Sequence, residues 1–170
     1  IIRQNIQAVP AAIPSRVVVV VDGSGGMESS VKELLEALAG IPETTEIALI
    51  VANDDQKVSD AKPQKATPAV VGELRRRLGK VRFVGGQDNL PALETAWDLA
   101  AQVDNGVVVW LHQPQPVLLA SESGLRQRIE RTTKPVRLFE LQTRNGPDRI
   151  IEKLDGLAAV EHVLRLGSLR

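Results

Sequence analysis

Three short segments of this sequence carry the side chains best suited to chemistry. DGSGG begins at Asp22, GGQDN ends at Asn89, and HQP begins at His112. The candidate residues in them are Asp22, Ser24, Gln87, Asp88, Asn89 and His112. Carboxylate, hydroxyl and amide oxygens are ligands that hard divalent cations prefer. Asp22 and His112 could instead act together as acid and base. The segments therefore indicate either a cation site or a small catalytic centre, provided that the fold brings them together.

Strands are predicted on the amino-terminal side of two of these segments. Continuous apolar runs rich in β-branched residues are typical of strands buried on both faces of a parallel sheet. Such runs cover residues 16–21, 46–52, 106–111 and 135–141, and 160–166 is predicted as a last strand. Residues 57–59 are too few for a core strand, so we expect a short edge strand there. The first and third candidate segments then lie at the carboxyl ends of two strands.

Amphipathic helices are predicted between the strands. Apolar side chains recur at helical spacing from Met27 to Leu38, from Val70 to Leu78 and from Leu90 to Ala101. Asn89 is predicted as the N-cap of the third helix, and residues 123–132 and 148–154 are weaker helices. This alternation predicts an α/β, doubly wound, Rossmann-like fold with a mostly parallel central sheet, helices on both faces and one short antiparallel edge strand. Ligands of such sheets bind beyond the carboxyl ends of the strands.

Composition limits the classes of partner. The 170 residues fit one domain, and 21 basic and 21 acidic residues give no net charge to attract nucleic acid or an anionic membrane. The basic run Arg75 to Arg77 lies between predicted core positions of a helix, so we expect it to form an ordinary solvent-exposed helix face. There is no cysteine, so disulfides and thiolate metal sites are excluded. The longest apolar run, residues 17–21, is far shorter than a membrane span, so we expect a soluble domain, which could belong to either side of a membrane-associated protein.

Sequence motifs for enzyme chemistry are absent. The glycine-rich segment lacks the lysine-containing phosphate-binding motif, and Gly23 and Gly25 are not followed by the third glycine of the dinucleotide-binding motif. No G-x-S-x-G elbow surrounds Ser24. A small α/β hydrolase or nucleotide-dependent enzyme that uses Asp22 and His112 remains the alternative hypothesis, although we expect no enzyme.

Two stretches resemble a known family. The run VVVVVDGSGGM followed by an amphipathic helix resembles the opening of a von Willebrand factor A (VWA) domain, and GGQDNLPALETAWDLA resembles its second loop and helix. The resemblance covers residues 17–166. It implies the family's fold and a site in which an Asp and two Ser of D-x-S-x-S, a later Thr and an Asp hold Mg²⁺ or Mn²⁺. The bound ion accepts a carboxylate from a protein partner.

Only part of that metal site is present. Asp22 and Ser24 match its first two ligands, whereas Gly26, Gln87 and His112 stand where the family has Ser, Thr and Asp. The resemblance therefore implies a degenerate site of Asp22, Ser24 and Gln87, in which Mg²⁺ or Mn²⁺ binds weakly or not at all. It also implies a partner-binding face of Asp22, Ser24, Gly26, Gln87, Asp88, Asn89 and His112.

The function expected from these observations is protein–protein interaction. We expect residues 1–15 to be a proline-containing lead-in and residues 16–170 to be the VWA-like domain, excised from a larger protein. The lead-in resembles that of bacterial proteins in which such a domain follows a vault-protein and inter-alpha-trypsin domain. The partner would be another protein or a neighbouring domain of the same chain. On this interpretation, replacing Asp22 with alanine changes partner binding more than it changes stability.

Overall fold

The computed structural model describes residues 12–52, 61–84, 88–118 and 121–162, in which strands and helices alternate. The strands are β1 (Arg16–Asp22), β2 (Glu46–Ala52), β3 (Gln64–Lys65), β4 (Gly106–His112), β5 (Arg137–Gln142) and β6 (Val160–His162). The helices are α1 (Glu28–Leu38), α2 (Pro68–Leu78), α3 (Leu90–Ala100), α4 (Ser123–Arg131) and α5 (Arg149–Leu154). Among the described residues, every helix falls short of the length and apolarity needed to cross a bilayer.

The strands form one sheet in the order β3-β2-β1-β4-β5-β6. All neighbouring pairs are parallel except β2 and β3, which are antiparallel. This arrangement confirms the predicted doubly wound, mostly parallel sheet with one short antiparallel edge strand. The chain winds outward from β1 to β3 and then returns to β4, so the strand order switches between β1 and β4. Asp22 ends β1 and His112 ends β4, and both therefore lie at the switch point, where ligands of such sheets bind.

The alternating side chains of β1 explain why the sheet is covered on both faces. Every residue of this strand is buried. Val18 and Val20 pack with Trp97 of α3 and with apolar residues of α4 and α5, whereas Val19 and Val21 pack with apolar residues of α1 and α2. Successive side chains of a strand point to opposite faces, so a continuous apolar run serves two cores. Asp22 continues the first series and lies on the α3 face.

Several predicted boundaries shift or fall outside the described residues. Strands β1 and β4 each extend one residue further than predicted, to the candidate residues Asp22 and His112. The structure describes an antiparallel edge strand at Gln64–Lys65, whereas the edge strand predicted at 57–59 lies outside the described residues. The last strand is described as Val160–His162, and the remainder of the predicted 160–166 strand also lies outside them.

Asn89 occupies the predicted N-cap position of α3, but its side chain does not cap the helix. Its backbone is already helical, with φ −80° and ψ −8°, and its side chain makes no capping hydrogen bond. The neighbouring Asp88 accepts the Leu90 backbone N–H instead, at 2.9 Å. The Asn89 amide is thereby available for contacts below the loops: its oxygen accepts from Trp110 Nε1 at 3.1 Å, and its nitrogen donates to Gln115 Oε1 at 3.3 Å.

Candidate functional site

The carboxylate of Asp22 is fully buried and accepts hydrogen bonds from within the chain on both of its oxygens. The Ser24 backbone N–H donates to Oδ1 at 2.9 Å, and the Ser24 hydroxyl donates to Oδ2 at 2.8 Å. Oδ2 also accepts from the backbone N–H of Gln113 and from the side-chain amide of Gln115, each at 3.2 Å. Four donors from two loops therefore surround the negative charge.

The space beside Asp22 is lined with donors rather than ligands. Gly26 has a φ of +91°, and a Cβ built on it would lie 3.0 Å from Gln113 Nε2 and 3.2 Å from Arg144 Nη2. A divalent cation requires oxygen atoms around it. Here the guanidinium of Arg144 and the side-chain amide of Gln113 border Gly26, and Asp22 supplies the only carboxylate of the motif. This donor set does not fit a hard divalent cation. Gln87, the third predicted ligand, lies outside the described residues.

A chain of polar side chains connects Asp22 to the interior. Gln115, which donates to Asp22, accepts from Asn89, and Asn89 accepts in turn from the indole of Trp110. Gln115 and Asn89 are buried, and Trp110 is fully buried. A buried polar group is costly unless it finds a partner. This network satisfies each of these groups and fixes the loop after β4 against the start of α3.

His112 lies at the centre of a second buried cluster. Its ring stacks on Trp110 with centroids 3.6 Å apart, and it is fully buried. Nδ1 lies 2.7 Å from the carbonyl oxygen of Gln113, and Nε2 lies 2.9 Å from Glu140 Oε1. A carbonyl cannot donate, so the hydrogen-bonding geometry assigns a proton to Nδ1. Nε2 and Glu140 then share a second proton between them.

Asp148 completes this cluster from the start of α5. Its Oδ1 accepts the Ile151 backbone N–H at 2.9 Å and thereby caps the helix. Its Oδ2 lies 3.2 Å from His112 Nδ1, but that N–H is directed at Gln113, and Oδ2 has no hydrogen-bond partner in the described part of the chain. Burial raises the pKa of the Asp148 carboxyl above its usual value, although the Ile151 N–H and the charge of His112 oppose the shift.

The fold brings the predicted site residues to one edge of the sheet, but at different depths. Asp22, Asn89 and His112 are fully buried, and Asp88 is nearly so, which places these four beneath the surface. Of the described candidates, only Ser24 and Gly26 reach solvent. The metal and partner roles assigned to the whole set stay predictions.

The sequence interpretation missed the residues that contact the candidates. They are Gln113 and Gln115 beside Asp22, Arg144 beside Gly26, and Glu140 and Asp148 beside His112. Two of them carried a signal. Glu140 is a charged residue within an apolar strand, and Asp148 precedes a short amphipathic helix as an N-cap would. A buried charge in a strand indicates that an oppositely charged or protonated partner lies nearby.

Restoring the family's serine at position 26 is expected to destabilise the protein rather than rebuild a metal site. A side chain at φ +91° is strained, and its Cβ would press on Gln113 and Arg144. We expect Gly26→Ser to lower the free energy of unfolding by about 1–2 kcal/mol in urea titrations. The matched control is Gly25→Ser, because a Cβ there meets only a carbonyl oxygen at 3.7 Å. Equal losses for the two variants, or a Gly26→Ser protein stabilised by Mg²⁺, would contradict the expectation.

Comparison with known proteins identifies the fold. No protein-family model and no curated protein matches the chain, whereas 49 chains of solved structures do. A von Willebrand factor type A protein from Catenulispora acidiphila matches with a TM-score of 0.60 and 12% identity over 89% of this chain and 39% of its own. The VWA domain of SpRpn10 matches with a TM-score of 0.54 and 10% identity over 89% of this chain and 87% of its own.

A third similar structure is the open conformation of the pilus adhesin SpaC from Lactobacillus rhamnosus GG. Its TM-score is 0.54 and its identity 14%, over 96% of this chain and 28% of its own. The chain thus spans 39% of the Catenulispora protein and 28% of the adhesin. Sequence identities this low carry information on the fold alone. Together with the sheet order and the position of Asp22 at its switch point, the comparisons identify the chain as having the von Willebrand factor type A fold.

Proposed function

We propose that this chain is a protein-interaction module that binds an acidic side chain of its partner through Arg144, without a divalent cation. The observation that carries the proposal is the environment of Asp22. Its oxygens accept four hydrogen bonds from the chain, and a guanidinium lies where the motif of the family would place a metal ligand. The adhesin among the similar structures is itself named for a binding role.

The binding surface in this proposal, here called the loop face, consists of residues 24–26, 113–117 and 144–147. Its segments are held to one another before any partner arrives. Gln113 Nε2 donates to the Gly25 carbonyl at 2.8 Å, and the Thr143 N–H donates to the His112 carbonyl at 2.8 Å. In the third segment, Gln142 Nε2 donates to the Gly146 carbonyl at 3.0 Å. A surface ordered in advance loses less entropy on binding, which favours affinity.

The chemistry of the loop face favours an acidic partner. Arg144 is exposed, and no carboxylate pairs with it among the residues that the structure describes. A guanidinium presents a planar fork of donors that matches a carboxylate in two parallel hydrogen bonds. Val117, at the end of the second segment of the loop face, is 60% exposed and offers apolar contact. In the family that the sequence resembles, the metal ion receives the partner's carboxylate, and Arg144 would supply that positive charge here.

The alternative, a hydrolase or nucleotide-dependent enzyme using Asp22 and His112, has less support. Both side chains are fully buried, and their polar atoms are hydrogen-bonded to neighbours in the chain. A general base must come within hydrogen-bond reach of a substrate proton. The Ser24 backbone N–H, which could have bound a phosphate, donates to Asp22 instead. These contacts therefore favour neither general acid–base catalysis nor phosphate binding by these groups.

Site-specific photo-crosslinking tests the proposal. A benzophenone amino acid replaces the exposed Val117, and the protein is irradiated in a lysate of the source organism. We expect a crosslinked product that is unchanged in EDTA and whose attached peptide contains Asp or Glu. In the same background, Arg144→Glu is expected to reduce the yield at least tenfold, which corresponds to about 1.4 kcal/mol of binding free energy.

Two controls test whether crosslinking depends on the loop face and on the charge of Arg144 in particular. The crosslinker placed at Gly72, an open position on α2, is expected to give no such product. Arg75→Glu makes the same charge change on the exposed side of that helix and is expected to leave the yield unchanged. The proposal is wrong if EDTA abolishes the product, or if Arg144→Glu and Arg75→Glu behave alike.

A further inference from the structure

A group of potential metal ligands lies below the loop face, apart from the carboxylate of Asp22. It consists of His112 at the end of β4, Glu140 in β5 and Asp148 at the N-cap of α5. All three side chains are buried, and each offers one ligand atom within 4.8 Å of the other two. Three separate elements thus bring one imidazole and two carboxylates into a small volume. Surface acidic residues gather by chance, but buried ones require compensation.

The free oxygen of Asp148 is the second observation that indicates a ligand. Asp148 is 8% exposed, and its Oδ2 accepts no hydrogen bond from the described residues although it is buried within this group. Capping α5 requires only Oδ1, and Oδ2 lies 3.2 Å from His112 Nδ1, whose N–H is directed at the Gln113 carbonyl instead. An unsatisfied carboxylate oxygen in the interior costs free energy, and native proteins rarely leave one without a partner. A bound cation would supply that partner.

Charge and geometry are both consistent with a divalent ion. Once a metal ion displaces the proton shared by Nε2 and Glu140, a neutral imidazole and two carboxylates carry a total charge of about −2, which one divalent cation neutralises. Nδ1 of His112 donates to the Gln113 carbonyl at 2.7 Å, which orients the ring and leaves Nε2 to bind a metal. Metal-bound histidines typically donate their other nitrogen in this way. Nε2 already lies 2.9 Å from Glu140 Oε1.

The identity of the ligands selects among metals. Nitrogen from imidazole together with carboxylate oxygens suits zinc, whereas Mg²⁺ and Ca²⁺ prefer oxygen alone. We propose that His112, Glu140 and Asp148 supply three ligands of a zinc site that joins β4, β5 and the start of α5. The Asp22 carboxylate takes no part in it. The site goes beyond the proposed interaction function and does not depend on it.

Zinc content after refolding is the first test. Tag-free protein is unfolded in guanidinium with EDTA, refolded with one equivalent of Zn²⁺, desalted and analysed by mass spectrometry of its metals. We expect about one zinc per chain for the wild type and at least a fivefold loss for Asp148→Asn and His112→Gln. Asparagine is also a good N-cap, so Asp148→Asn removes the ligand and keeps the start of α5. The matched control, His162→Gln, removes the other histidine of the chain and is expected to retain the ion.

The stacking of Trp110 on His112 provides a second, spectroscopic test. In a Trp97→Phe background Trp110 is the sole tryptophan, and its ring lies 3.6 Å from that of His112. Co²⁺ bound at this cluster should therefore quench most of its fluorescence in a saturable way, and Zn²⁺ should reverse the quenching. Adding Asp148→Asn should remove both effects.

Either of two results would overturn the zinc proposal. One is zinc retained equally by the wild type, Asp148→Asn and His112→Gln, which would indicate adventitious binding. The other is a wild type that holds no zinc and shows no quenching of Trp110, in which case the three groups share protons instead of a metal. Neither result bears on the crosslinking at Val117, so the two proposals can fail separately.

Discussion

Replacing Asp22 with alanine is expected to lower the free energy of unfolding by about 3 kcal/mol. The carboxylate accepts four hydrogen bonds in a fully buried position, and its removal leaves the backbone N–H groups of Ser24 and Gln113 without an acceptor. The side-chain amide of Gln115 keeps only its long contact of 3.5 Å to the Gln113 carbonyl. A hydrogen bond to a charged group contributes about 1.5–3 kcal/mol, and each orphaned buried donor costs about 1–3 kcal/mol. Partial exposure of Ser24 and relaxation of the loops keep the expected total below the sum. Urea denaturation followed by tryptophan fluorescence gives the measurement.

Two variants show whether the loss arises from this network. Ser24→Ala removes only the hydroxyl contact and is expected to cost about 1 kcal/mol, because the Ser24 backbone N–H still donates. Asp104→Ala removes an exposed aspartate and is expected to stay within about 0.5 kcal/mol of the wild type. If Asp22→Ala costs no more than Asp104→Ala, the carboxylate is not held by the chain and is available to a cation. The argument for metal-independent binding would then fail.

The burial of Asp22 changes an expectation drawn from the sequence. Taken as a ligand at the surface, Asp22 would affect partner binding more than stability when replaced. Because it lies at the switch point with no exposed area, it acts on the partner only through the loops that it holds. We therefore expect Asp22→Ala to reduce stability directly and binding indirectly, whereas Arg144→Glu reduces binding with little change in stability.

The fold could be predicted from the sequence because its signals are local. A β-branched run such as residues 17–21 has few alternatives to a strand buried on both faces, and the spacing of apolar residues in α1 and α3 repeats at the helical period. Alternation of the two elements then leaves few topologies. The strand ends were less certain, because Asp22 and His112 are polar and gave no signal that the strands include them.

The contacts of the site could not be predicted in the same way, because they depend on side chains that are distant in sequence. Gln115 reaches Asp22 across 93 residues, and nothing in the local pattern of either segment encodes that distance. Gln113 and Arg144 lie in loops, whose contacts hydrophobic periodicity does not predict. Glu140 is the exception: in parallel neighbours β4 and β5, Trp110 is paired with Glu140 and His112 with Gln142, so strand parity alone puts Glu140 on the His112 face. A sequence interpretation that followed parity could have found that pair.

Replacing His112 with alanine is expected to have the largest effect, a loss of about 4 kcal/mol measured by urea denaturation in EDTA. The substitution removes the stacking on Trp110 and leaves Glu140 and Asp148 buried together without the group between them. Removing one partner of a buried ion pair typically costs about 3–5 kcal/mol, because the remaining charge is uncompensated. EDTA excludes any contribution from a bound metal, so the measurement reports the cluster itself.

The pH dependence of this loss distinguishes uncompensated charge from lost packing. Burial already raises the pKa of Asp148, and removing the imidazole removes one of the charges that lower it. The folded variant then binds more protons than the unfolded chain, so its stability is greatest at acidic pH and falls as the pH rises above the usual aspartate pKa. We expect the difference in free energy of unfolding between wild type and His112→Ala to be at least 1 kcal/mol smaller at pH 4 than at pH 7. Adding Glu140→Gln to the His112→Ala variant is expected to restore a similar amount of stability at pH 7. A gap that stays constant with pH, and that Glu140→Gln does not narrow, would instead assign the role of His112 to packing against Trp110.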